Sequence, residues 1–104
     1  MKYNPKKMPR DDIALEISKL KPGDIVAFYA DFPLNLKWQR QEKEVENLFE
    51  VSRHIIRGYK KNRFETTLLY AHPHRFRRRI FKYLPGDNYT LARSTFLERT
   101  WKKM

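Results

Sequence analysis

Leu48-Phe-Glu-Val-Ser-Arg-His-Ile-Ile-Arg-Gly58-Tyr-Lys-Lys-Asn62-Arg63-Phe-Glu-Thr-Thr-Leu-Leu-Tyr70 is the stretch on which the fold turns. Its second half, Arg63 to Tyr70, is rich in strand formers and reads as a strand. Its first half is ambiguous. Val45, Leu48, Phe49, Ser52, Ile55, Ile56 and Tyr59 fit a helical stripe, which would give a mixed α+β chain with a long central helix. Val45, Phe49, Val51 and Ile55 fit one side of a strand equally well. The neighbouring residues favour the strand: Gly58-Tyr59-Lys60-Lys61-Asn62 is a turn signal, so a strand over 48–58 and one over 63–70 form a long hairpin with a basic tip, with the central helix as the alternative. The expectation is therefore a mainly β chain.

Upstream, residues 1–9 carry two prolines and three lysines and read as a flexible basic arm ahead of a single small domain spanning 10–104. Pro9 with Asp11 and Asp12 looks like a first helical turn, because proline and carboxylates both suit that end of a helix. Ile13, Ile17 and Leu20 share one face of it, and Lys21-Pro22-Gly23-Asp24 should end it. Ile25 to Ala30 reads as a buried strand. Downstream, Pro73 must break the second hairpin strand, since proline has no amide proton for the ladder. Pro85 to Asn88 is another turn, and Tyr89 to Trp101 suits a closing strand pair or a terminal helix.

The segment Leu20-Lys-Pro-Gly-Asp-Ile-Val-Ala-Phe28 resembles the opening of small SH3-like β-barrels, in which a Gly-Asp turn launches the first strand. The resemblance implies a small barrel or curled antiparallel sheet with an N-terminal helix, in a family that includes binders of nucleic acid and of protein tails. The same segment is similar to the start of PemK/MazF-type toxin ribonucleases, whose further strand pattern is not found in this chain.

Charge is distributed unevenly. The chain carries a formal +11. Between Arg53 and Tyr83 stand ten Lys or Arg residues against the single acid Glu65, whereas residues 11–50 hold nine acids against five bases. Charge meant only for solubility would be spread. Rings are interleaved with the cations, and cations among rings suit a polyanion whose bases can stack. The residues expected to meet it are Arg57, Tyr59, Lys60, Lys61 and Arg63 near the hairpin tip, and Arg75, Phe76, Arg77, Arg78, Arg79 and Lys82 beyond it. Arginine adds a planar fork that pairs bidentately with phosphate. Competing readings are a solvated face, a solubility or localisation patch, and attraction to an anionic membrane surface.

These observations lead to the expectation of a non-enzymatic nucleic-acid-binding protein, DNA or RNA, acting as an accessory or regulatory factor of the kind bacteriophages encode. The rival is a protein-binding inhibitor or adaptor that presents Phe32, Leu34, Leu36 and Trp38 to a partner. A third reading, a small metal-independent ribonuclease, would draw on His54, His72 or His74 with Arg75 for base, acid and cation. No cofactor is expected. Cysteine is absent, and the three glycines Gly23, Gly58 and Gly86 each sit in a turn rather than a phosphate loop. Cysteine-free composition and a basic start with no apolar run behind it lead to the expectation of a reducing, cytoplasmic setting.

Overall fold

The computed structural model describes residues 1–31, 48–72 and 84–104, with the side chain of residue 31 excepted. They form six strands and two short helices: β1 Lys2–Tyr3, α1 Arg10–Ser18, β2 Ile25–Asp31, β3 Leu48–Lys60, β4 Arg63–Ala71, β5 Asn88–Ala92, α2 Arg93–Glu98 and β6 Thr100–Lys103. One antiparallel sheet runs in the order β1-β6-β2-β3-β4-β5. The fold is mainly β, an open curled sheet.

Local chemistry accounts for most boundaries. Pro9 precedes α1, and the amides of Asp12 and Ile13 reach back to its carbonyl. Ile13 and Ile17 are buried at one-turn spacing. Gly23 takes a φ of 96°, the Lys21 amide donates to Asp24 Oδ2 at 3.0 Å, and two 2.8 Å bonds extend the β2–β3 ladder, from the Gly23 amide to the Ile56 carbonyl and from the Ile56 amide to the Asp24 carbonyl. The region 1–9, read as a flexible arm, contains β1, whose Lys2 and Tyr3 pair with Lys102 and Trp101. β4 stops at Ala71, two residues before Pro73.

β3 is a strand of 13 residues, which removes the helical alternative from Leu48 onward. The hairpin is also tighter than the sequence suggested: pairing continues to Lys60 opposite Arg63, so the turn is Lys61-Asn62 alone. Register along β3 differs from simple alternation as well. It shifts between Phe28 and Tyr29 on the β2 side, leaving Val51 as an extra residue, and shifts again near Arg53 and Arg57 on the β4 side. An extra residue flips the parity of every side chain beyond it and bends the strand. Phe49 and Val51 thus keep to the core side while Ile55, expected beside them, pairs with Ile25 on the other face.

The core lies between one sheet face and the two helices. Ile13, Ile17, Val26, Phe28, Val51, Ile56, Phe64, Phe96, Leu97 and Trp101 form it. Phe96 is its hub, with ring centroids 5.1 Å from Phe28, 4.8 Å from Phe64 and 5.4 Å from Trp101. Trp101 donates its indole N–H to the Phe96 carbonyl at 2.8 Å, so its one polar atom is satisfied inside the core. The stretch 89–101, read as either strands or helix, contains both: β5, then α2, then the start of β6. Among the described residues no helix is long and apolar enough to cross a membrane.

Candidate functional site

The hairpin tip gathers Lys60, Lys61 and Arg63, all exposed. Lys61 and Asn62 have φ of 53° and 60°, the left-handed pair that a two-residue hairpin turn requires. Asn tolerates this conformation and lysine resists it. Asn62 is secured twice: its Oδ1 accepts from the Tyr59 hydroxyl at 3.0 Å, and its carbonyl accepts the Arg93 amide at 2.9 Å. The second bond ties the start of α2 to the tip and adds Arg93 to the basic corner. Two open depressions of about 490 and 510 Å³ flank the tip and share Lys61 and Arg63 in their walls.

Arg57 is exposed at a register shift, three residues down β3 from Lys60. Phe64 is buried in the core, whereas Tyr59 packs on it at 4.6 Å and remains 49% exposed. Among the described residues, none of Arg57, Lys60, Lys61 and Arg63 is in an ion pair. Arg53, counted with the basic excess, is committed: Glu50 accepts from its Nε at 2.7 Å and its Nη2 at 3.0 Å. That pairing raises the Arg53 pKa above its ordinary value. Tyr29, beside it, has a phenol pushed up first by burial and then by the Glu50 carboxylate, with Arg53 opposing. Arg75, Phe76, Arg77, Arg78, Arg79 and Lys82 lie outside the described residues, as do Phe32, Leu34, Leu36 and Trp38.

His54 and His72 are not brought to one surface. His54 is only 6% exposed, with Nδ1 3.1 Å from Thr66 Oγ1 and its ring edge-on to Phe28 at 5.7 Å. Burial, aided by the nearby Arg99 charge, lowers its pKa to about 4, so it is neutral at pH 7. A neutral imidazole enclosed in the core does not reach a scissile phosphate. His72 follows β4 and packs edge-on to Phe49 at 5.1 Å. His74 lies outside the described residues. Among the described residues no cluster of His, Cys, Asp and Glu could hold a metal ion.

Sequence reading missed the place of Arg93 beside the hairpin tip. Arg93 is 30 residues from Arg63 in sequence, and only the β4–β5 pairing, which sets Arg63 opposite Ala92, brings it to the tip. The burial of His54 follows from the β3 register shift, which no local composition announces. Comparison with known families, curated proteins and solved structures found no match.

Proposed function

We propose that the protein is a non-enzymatic nucleic-acid-binding protein, an accessory or regulatory factor whose affinity comes mainly from phosphate contacts. The observation that carries this reading is the build of the hairpin tip. Lys60 and Arg63 are direct cross-strand partners, and like charges in that position destabilise a hairpin. Lys61 occupies a left-handed position where asparagine or glycine would be easier. Three adjacent cations are thus held together against both local electrostatics and backbone preference. A bound polyanion relieves the first of these costs, which a merely solvated tip would leave uncompensated.

Arg75, Arg77, Arg78, Arg79 and Lys82, with Phe76 among them, extend the same chemistry along the chain. The test is an electrophoretic shift panel of duplex DNA, single-stranded DNA and structured RNA at two salt concentrations. The wild type is compared with a Lys60→Ala/Lys61→Ala/Arg63→Ala variant and an Arg77→Ala/Arg78→Ala/Arg79→Ala variant. Each is expected to weaken binding across sequences and to flatten the log–log salt slope by roughly 0.7–0.9 for every phosphate the variant no longer neutralises. Unchanged affinity of both variants for every probe would reject the proposal.

A further inference from the structure

The two faces of the sheet are unequal. Core side chains and both helices occupy one. The other presents a transverse row in which register sets Lys2, Lys102, Ala27, Arg53 and Tyr70 side by side on five successive strands. At the ladder spacing of neighbouring strands, this row spans about 19 Å. Tyr29 lies next to it on β2, with Lys2 Nζ 4.5 Å above its ring. Ala27, fully buried, is the small residue between the two long cations Lys102 and Arg53. Glu50 holds the Arg53 guanidinium by two hydrogen bonds, fixing a planar group beside two phenol rings. Tyr70 is 37% exposed at the far end.

The same face continues along β3 and β4 past Ile55 and Thr67 to Lys60 and Arg63, about 20 Å away at the rise of a strand. One surface therefore has rings and cations at one end and the cations of the hairpin tip at the other. A duplex hides the faces of its bases inside the stack, so tyrosine rings on a sheet gain nothing from it. An unpaired strand offers each base face for stacking and each phosphate for a cation.

We propose that this face is a stacking platform for an unpaired nucleic-acid strand, with Tyr29 and Tyr70 taking bases and Lys2, Lys102 and the hairpin tip taking phosphates. The proposal rests on the nucleic-acid reading above and narrows its substrate to single strands. Glu50 and Glu65 interrupt the positive face, and their carboxylates disfavour a polyanion lying flat over every position. Phosphates are thereby directed to the Lys2–Lys102 end and the Lys60–Arg63 end, with bases between.

The test uses fluorescein-labelled dT and rU oligonucleotides of about 12 nucleotides, within the range of known single-strand sites. A DNA duplex of equal length is the control. The intact protein is compared with Tyr29→Leu, Tyr70→Leu, Tyr29→Phe, Tyr70→Phe and the triple tip variant, with folding of each checked by thermal melting. The single strands are expected to bind at least tenfold more tightly than the duplex. Each leucine variant should weaken strand binding about tenfold and leave duplex binding unchanged, and each phenylalanine variant should retain wild-type affinity. The dT and rU arms show whether the strand taken is DNA, RNA or both. Equal affinity for strand and duplex, or leucine variants that bind strands as well as wild type, would overturn the platform while leaving tip-dependent binding intact. Absence of binding to any probe would overturn the broader nucleic-acid reading with it.

Discussion

Lys60 and Arg63 face each other directly across the end of the β3–β4 hairpin, with only Lys61 and Asn62 between them. Reversing one of these charges should separate stability from binding. Lys60→Glu converts a repulsive cross-strand pair into an attractive one and should stabilise the fold by roughly 0.3–1 kcal/mol. The same change should weaken polyanion binding. Thermal melting and a salt-dependent binding titration on one sample measure both, and a fall in stability together with unchanged binding would contradict the like-charge strain assigned to the tip.

The turn itself makes a second case. Lys61 holds φ at 53°, where a side chain with a β-carbon is disfavoured. Lys61→Asn keeps a side chain suited to that conformation and should raise stability by about 0.5–1 kcal/mol. Urea denaturation detects a change of this size. Loss of stability would mean that the turn does not adopt its left-handed geometry in solution.

His54 should leave a signature in the acid dependence of folding. In the unfolded chain its imidazole titrates near the ordinary value of roughly 6.5, whereas burial holds it near pH 4 in the folded protein. Because the unfolded state binds the proton more tightly, the stability tied to neutral His54 is complete above pH 6.5. It is lost progressively as pH falls towards 4, where the loss levels off on the order of 3 kcal/mol. The difference between wild type and His54→Leu, followed by denaturation across this window, isolates the effect from that of carboxylates. Parallel curves for the two proteins would show that His54 is not buried neutral.

Phe96 tests the core. It is fully buried and touches Phe28, Phe64 and Trp101, rings contributed by β2, β4 and β6. Phe96→Ala should cost about 3–5 kcal/mol through reduced burial and the cavity left behind. Equilibrium unfolding in urea gives the value, and a cost below about 1 kcal/mol would place Phe96 at the surface.

Much of the fold was legible because its signals are local. Pro9, the paired aspartates and the Ile13–Ile17 spacing specify α1, and Gly23 specifies the turn before β2. The strand formers gathered between Arg63 and Tyr70 specify β4. The basic hairpin tip was legible for the same reason, since cations and turn residues there are neighbours in the chain. Charge composition, which belongs to the residues whatever their arrangement, was enough to suggest a polyanion as partner.

Tertiary structure decided whatever depends on register and on strand order. The extra residue at Val51 sends Ile55 to one face and His54 into the core, because adding one residue to a strand reverses which side all later side chains occupy. Strand order set β6, the last 4-residue strand, between β1 and β2, and so aligned Lys2 and Lys102 with Arg53 and Tyr70 although they stand at opposite ends of the chain. The hydrogen bond from Arg93 to Asn62 arises in the same way. Contacts between residues distant in sequence are fixed by packing and ladder pairing of the whole sheet, and no window of neighbouring residues contains them.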